Sequence, residues 1–327
     1  MGNKKIVMCG CHEVGYNSIK SILEKGVKIH YFVLISKEKA NQQKVSGYVS
    51  FEDLAKKNNI PIYYVETYSM KSDNDIAFFK KHKFDLLIQG GWQRLFPEKV
   101  LKTLSIGAIG VHGSSEFLPK GRGRSPINWS LIEGKKRFIL HFFLMKSGVD
   151  DGDVFHFEMF DINLWDNCKT LYYKNSILTT KVLSEFIPRI LSSNLKKIPQ
   201  IGAPTYYKKR TAEDGLINWE ETVFDIYNLT RAITRPYPGA FSYLENEKVF
   251  FWNTQPFDSR ITYPLAIQGE VVEVFNSKDF VVNCNSGLLL ITDYSSNSLI
   301  KVPKYCLSSS CRLSWMWTMV SGIWYQE

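Results

Sequence analysis

His112 and Asp150 are the residues of this chain best placed to move a proton. A neutral imidazole takes a proton from an attacking amine, and a nearby carboxylate orients that imidazole and stabilises its charged form. Both residues stand where an apolar run gives way to a loop. Residues 106–111 read as a short strand ahead of His112-Gly113-Ser114-Ser115, and residues 138–145 as a second strand ahead of Gly148-Val149-Asp150-Asp151-Gly152-Asp153. The ends of strands are the usual place for function in an open parallel sheet. The pair therefore points to acyl-type transfer onto a nitrogen. His141 lies inside the second strand and His156 in the apolar stretch beyond it, so both read as structural histidines.

The elements that must hold these residues alternate along the chain. Strands are expected at 5–9, 27–34, 60–65 and 84–89, with helical spacing at 14–23, 51–57, 71–81 and 97–104. This is an α/β pattern: an open, mostly parallel, Rossmann-like sheet with helices on both faces and a crevice at the strands' C-terminal ends. A helix begins near Trp129, with Trp129, Leu131 and Ile132 expected to face the sheet. A long helical stretch at 164–191 leads into a connector at 192–207 and a helix at 225–234 that Arg235-Pro236 must end. Short alternating runs at 241–244, 249–252, 269–275, 280–284 and 288–292 suit a smaller β-rich barrel of the oligonucleotide-binding (OB) kind. The expected division is a catalytic domain over 1–200, a linker and OB-like domain over 201–300, and a tail over 301–327. Trp315, Trp317, Trp324 and Tyr325 suit that tail to covering a homodimer interface or folding back on the barrel.

Composition narrows the class. With 327 residues, 44% hydrophobic and 22% charged, the chain has ample material for a core. A net charge of +9 invites an anionic partner, but the basic runs at 80–83, 135–137 and 208–210 are dispersed, as on solvated faces, and argue against nucleic acid. None of the six cysteines forms a paired structural-zinc motif, and in Cys9-Gly10-Cys11-His12 the first cysteine belongs to an apolar strand, so no metal is expected. The N-terminus lacks a signal-peptide layout and no apolar run reaches membrane-spanning length. A cytoplasmic protein with no membrane association is the expectation.

Three further loops carry residues suited to binding. Cys11-His12-Glu13 follows the first strand, flanked by Gly10 and Gly15 without a full dinucleotide fingerprint. The helix start there suits a substrate anion, or the glycines only let the turn close tightly. Gly90-Gly91-Trp92-Gln93-Arg94-Leu95-Phe96-Pro97 follows the fourth strand and offers backbone and an apolar wall to a flat ligand, or two core aromatics to the next helix. Arg122 and Arg124 present planar forks to a substrate phosphate or a loop carboxylate.

The order His112, Leu118-Pro119, Arg122-Gly123, Ser125-Pro126 and Asp150-Asp151-Gly152-Asp153 resembles the folate-dependent formyltransferases, whose branches act on methionyl-tRNA, glycinamide ribonucleotide and amino sugars. Tyr206-Tyr207-Lys208-Lys209-Arg210, Asp214-Gly215-Leu216-Ile217-Asn218-Trp219 and Arg235-Pro236-Tyr237-Pro238-Gly239-Ala240-Phe241 look like the connector and C-terminal entry of the tRNA and sugar branches. Arg122-Gly123-Arg124-Ser125-Pro126-Ile127-Asn128-Trp129 is closer to the sugar branch. The resemblance implies an enzyme that moves a formyl group from N10-formyltetrahydrofolate to the amine of a nucleotide-linked sugar, a precursor of lipopolysaccharide or another surface polysaccharide. Methionyl-tRNA formylation is the enzymatic alternative.

The resemblance also implies roles for residues. His112 and Asp150 carry the chemistry, and Gly91, Trp92, Gln93, Arg94, Leu95, Phe96, Val149, Asp151 and Asp153 border the folate. Cys11, His12, Glu13, Arg122 and Arg124 border the acceptor. One departure stands out: the family's Asn-x-His has Gly110 in the Asn position, and in that family the Asn holds the formyl oxygen. Ser114, Ser115, Asn128 or loop N–H groups are the candidate replacements. A lost oxyanion donor costs about a hundred- to a thousandfold in turnover. The other alternative is a formyltransferase-like binding protein without activity.

Overall fold

The computed structural model describes residues 4–45, 47–244, 247–296 and 307–308. The chain divides between Thr211 and Ala212 into two units.

The first unit begins with β1 (Ile6–Gly10), an unbroken apolar run buried along its whole length, as a strand covered on both faces must be. Around it β2 (Tyr31–Leu34), β3 (Ile62–Tyr64), β4 (Leu86–Gly90) and β5 (Gly107–Ser114) run parallel. Helices α1 (Glu13–Glu24), α2 (Lys37–Gln42), α3 (Glu52–Lys57), α4 (Asp73–His82) and α5 (Glu98–Leu101) connect them. Two antiparallel strands, β7 (Arg137–Met145) and β8 (Gly152–Asp161), extend the sheet to seven in the order β3-β2-β1-β4-β5-β7-β8. The expected mostly parallel sheet is present. Strand β8 and the short α2 had no counterpart among the expected elements, and β2 starts four residues later than expected, at Tyr31.

Local chemistry explains the helix ends. His12 caps α1 by accepting from Val14 N at 3.2 Å, and Gly15 lets that helix lie against β4, where any Cβ would overlap the Gly90 backbone. Helix α7 (Cys168–Leu191) opens with a capping box in which Asn167 and Thr170 bond each other's backbone, so it starts later than the expected residue 164. Between β5 and β7 lie β6 (Arg122–Gly123) and α6 (Pro126–Ile132), and β6 pairs with β9 (Tyr206–Tyr207).

Helix α6 buries Ile127, Asn128, Ser130 and Leu131. Trp129 therefore does not face the sheet as expected. Its ring stacks on Tyr207 at 5.5 Å with Arg210 on a ring face at 5.1 Å, and its Nε1 donates to Lys208 O.

The second unit carries α8 (Val223–Ile233) and an antiparallel sheet built from β10 (Ala240–Leu244), β11 (Glu247–Pro256), β12 (Val271–Val274), β13 (Phe280–Cys284), β14 (Gly287–Ser296) and β15 (Leu307–Ser308). The strand order is β12-β13-β14-β11-β10-β15. Phe241, Phe251, Phe280, Leu289 and Ile291 are buried in its interior. The expected aromatic tail lies outside the described residues, apart from the backbone of residues 307–308. No helix among the described residues is long and apolar enough to cross a membrane.

Candidate active site

Strand β5 runs on past residue 111 to Ser114, so His112 lies inside a strand and not in the loop expected there. Its backbone pairs with His141 of β7, as Gly110 pairs with Phe143 and Ser114 with Ile139. Because alternate residues share a face, Gly110, His112 and Ser114 point to one side of the sheet. β4 stops at Gly90, and its register with β5 sets that end level with Val111. His112 thus stands one residue beyond the edge of the parallel sheet, at the C-terminal ends of its strands.

The His112 ring is 7% exposed, and both of its nitrogens face oxygen atoms. Nδ1 lies 3.3 Å from Asp150 Oδ2, and Nε2 lies 2.8 Å from Gly121 O. Asp150 occupies the tight link between β7 and β8 with φ 46, a left-handed conformation that non-glycine residues adopt at a cost. This turn aims its carboxylate back at the strand. The same Oδ2 accepts from Gly123 N at 2.9 Å, which ties the loop after β5 to the loop after β7.

The three neighbouring carboxylates diverge. Asp150 faces His112, Asp151 lies 3.5 Å from Arg122, and Asp153 accepts from Lys146 at 2.9 Å. Arg122 is buried and is not a free fork for substrate phosphate: its Nε and Nη2 donate to Gln200 Oε1 at 3.2 and 2.6 Å. Arg124 is exposed, with its backbone N–H on Tyr207 O. Gln200 in turn donates to Asp150 O and Gly152 O, each at 2.9 Å. Thr205 completes the bracket, its hydroxyl accepting from Gly121 N at 2.8 Å and its carbonyl from Arg122 N at 3.0 Å.

His141 is the structural residue its strand position implied. Leu118 N donates to Nε2 at 3.3 Å, and Nδ1 faces the His112 carbonyl at 3.4 Å. Burial, with His112 adjacent, pushes its pKa down to about 4, so the ring is neutral at ordinary pH. His156 lies 3.3 Å from Glu158 and against Phe186, away from Asp150.

At Gly110 the Phe143 ring fills the space a side chain would need. A Cβ there would meet Phe143 ring carbons at 2.6 and 2.7 Å and Met145 Cγ at 3.1 Å. An Asn cannot be inserted without displacing that ring. Ser114, Ser115 and Asn128 are all buried; the Ser114 hydroxyl accepts from Glu116 N at 3.2 Å and abuts Gly121.

Other expected contacts fall apart. Cys11 is buried with Sγ 3.3 Å from Tyr68 Oη and from Gly91 O, and burial pushes its thiol up to about 11, so it is a core residue and not a substrate contact. His12 caps α1 with burial lowering its pKa, while Glu13 is exposed. Trp92 and Phe96 belong to the core cluster with Tyr68 and Phe79, which removes them from any ligand wall. Gly91, at φ 81, together with Gln93, Arg94 and Leu95, remains at the surface of that loop; Leu95 is 55% and Val149 37% exposed. Arg94 lies over the Tyr68 ring at 4.7 Å.

Residues 5–187 match the model of the formyl transferase family, and residues 209–302 match its formyl transferase C-terminal domain. The chain belongs to the formyl transferase family. It is 31% identical over 252 residues to the bifunctional polymyxin resistance protein ArnA of Wigglesworthia glossinidia brevipalpis, covering 77% of this chain and 38% of ArnA's length. It is 29% identical over 286 residues to the methionyl-tRNA formyltransferase of Thermodesulfovibrio yellowstonii, covering 88% of this chain and 89% of that one. Among solved structures, the N-formyltransferase of Helicobacter canadensis, in complex with folinic acid and dTDP-3-aminofucose, aligns at a TM-score of 0.64 and 17% identity over 89% of this chain and all of that one.

Within this formyl transferase the His112–Asp150 pair was legible as residue types beside loop glycines. Gln200 and Thr205 were missed. They lie in what reads as a featureless connector, and the only sequence signal was its length between two ordered elements.

Proposed function

We propose that this formyl transferase moves a formyl group from N10-formyltetrahydrofolate to the amino group of a nucleotide-linked amino sugar. The observation that carries the reading is the His112–Asp150 contact at 3.3 Å, held at the C-terminal end of a parallel sheet. The sugar-type loop and the sugar-binding relative of like fold support the acceptor class.

His112 receives the amine proton as nitrogen bonds to the formyl carbon, and returns a proton to the folate nitrogen as the old carbon–nitrogen bond breaks. Asp150 orients the ring and balances its charge. Nδ1 keeps Asp150 as its partner, and Nε2 exchanges the Gly121 carbonyl for the acceptor amine. The surface residues fit a folate: Gly91 brings backbone close, Leu95 and Val149 supply apolar area, and Arg94 a cation for the carboxylate tail. Ser114, on the His112 face, its neighbour Ser115 and the buried Asn128 of α6 are the set from which the formyl-oxygen donor is drawn.

The deciding experiment incubates purified protein with N10-formyltetrahydrofolate and a panel of nucleotide-linked amino sugars, with charged initiator tRNA alongside, and weighs the products. A formylated sugar nucleotide is the expected result. Formylated aminoacyl-tRNA would overturn the acceptor, and folate binding without any product would make this a silent member in which Phe143 over Gly110 has closed the oxygen site.

A further inference from the structure

We propose that Gln200 is a positioning residue for the reaction: its amide holds Asp150 in the left-handed turn and locks that turn to the Arg122 loop, fixing the Asp150–His112 contact. Its effect on rate rests on the formyl-transfer reading, whereas its effect on His112 does not.

Asp150 holds a left-handed backbone. A non-glycine residue at φ 46 persists only where its surroundings over-determine it. The carboxylate contributes through Gly123 N and His112 Nδ1. The backbone side is held by Gln200, whose one NH2 group donates to the carbonyls on either side of Asp151, those of Asp150 and Gly152. Two peptide planes pinned by one planar amide fix the turn between them. Lys146 N closes the same turn on Asp151 O at 2.7 Å.

The other end of the amide does different work. Gln200 Oε1 accepts from Nε and Nη2 of Arg122, a side chain that also reaches Asp151. Arg122 follows Gly121, whose carbonyl faces His112 Nε2, and precedes Gly123, whose N–H faces Asp150. One side chain thereby connects the loop that contacts His112 Nε2 with the loop that contacts His112 Nδ1. A carboxylate at this position would keep the Arg122 pairing and lose both donors, with oxygen facing oxygen. A leucine would lose both ends.

The test uses the full-length chain as wild type, Gln200→Leu, Gln200→Glu and Asp150→Asn. In formyl transfer, kcat falls about a hundredfold in both Gln200 variants with KM for each substrate little changed, the size expected when a catalytic group is misplaced by about 1 Å. Independently of turnover, the 15N signals of the His112 ring at neutral pH move in both Gln200 variants toward those of Asp150→Asn. If Gln200→Leu does not fold, the isosteric Gln200→Glu decides alone.

Wild-type kcat with unmoved His112 ring signals in Gln200→Glu would overturn the proposal, leaving only an anchor for Arg122. Moved ring signals in a protein whose wild type transfers no formyl group would uphold the clamp and sink the functional reading instead.

Discussion

At the turn after β1, the Nδ1 of the histidine serves its own helix. His12 Nδ1 caps the helix that begins at the next residue, and Cys11 closes a buried contact with Tyr68 and the Gly91 carbonyl. Around His112, groups from four separate segments, at 112, 121–123, 150 and 200, are spent on one another. Both regions offer a histidine beside an acidic residue and glycines at the same end of one sheet. What separates them is where the histidine's partners come from. A cap satisfies orphan helix donors and stops there, whereas the distant polar groups around His112 close the turn between β7 and β8 and also converge on one imidazole.

The sharpest way to break this contrast is to remove each imidazole or its carboxylate. His112→Ala should lower formyl transfer by about a thousandfold or more, and Asp150→Asn by about a hundredfold or more, with the fold intact by circular dichroism, since proton transfer by a positioned base supplies about that much. Turnover by His112→Ala at the wild-type rate would place the chemistry elsewhere.

The next effect comes from His141, which backs the site without belonging to its chemistry. Its folded pKa, about 4, lies below the ordinary 6.5, so between those values the unfolded chain takes up a proton the folded chain refuses. Stability is therefore complete above about pH 6.5 and declines as pH falls toward 4, by about 3 kcal/mol at most for this one group. Urea unfolding at neutral pH and near pH 4.5 should show that slope in wild type and a slope flatter by about one proton in His141→Gln. Identical slopes would mean the ring is hydrated or partnered in solution.

Much of the fold could be anticipated because buried parallel strands and capped helices leave local patterns. The site was legible only in part. Asp150 and His112 carry distinctive residue types, but β5 was expected to stop at residue 111 because Gly113-Ser114-Ser115 has loop chemistry, and only pairing with β7 makes it strand. Leu95 and Phe96 read as a ligand wall until tertiary burial assigns Phe96, with Trp92, to the core. Strand β8 was missed because, past Gly152, its residues are only half-buried or exposed and form no clean apolar face. Gln200 had no pattern to betray it, since its partners lie 48, 50 and 78 residues away.

A smaller change sharpens the boundary of the convergent region. Gly121 has φ 72, and a Cβ there would overlap Ser114 Oγ. Gly121→Ala should cost about 1–2 kcal/mol of stability from the left-handed backbone, and should lower turnover as well, because the carbonyl facing His112 Nε2 moves with it. Loss of stability with unchanged turnover would show that this loop's position does not govern the ring.

The smallest effect is expected at the other turn. His12→Ala removes the acceptor for Val14 N, so α1 should lose about 1 kcal/mol, the ordinary worth of a helix cap. His12→Asn, which can cap in the same way, should restore it. Because α1 also packs its glycine face on β4 beside Gly90, the loss should appear in thermal unfolding of the first unit and leave kcat within about threefold, a change of well under 1 kcal/mol in the barrier. A large fall in KM-dependent rate that His12→Asn does not rescue would mean that His12 touches the acceptor after all, and that the turn after β1 belongs to the site.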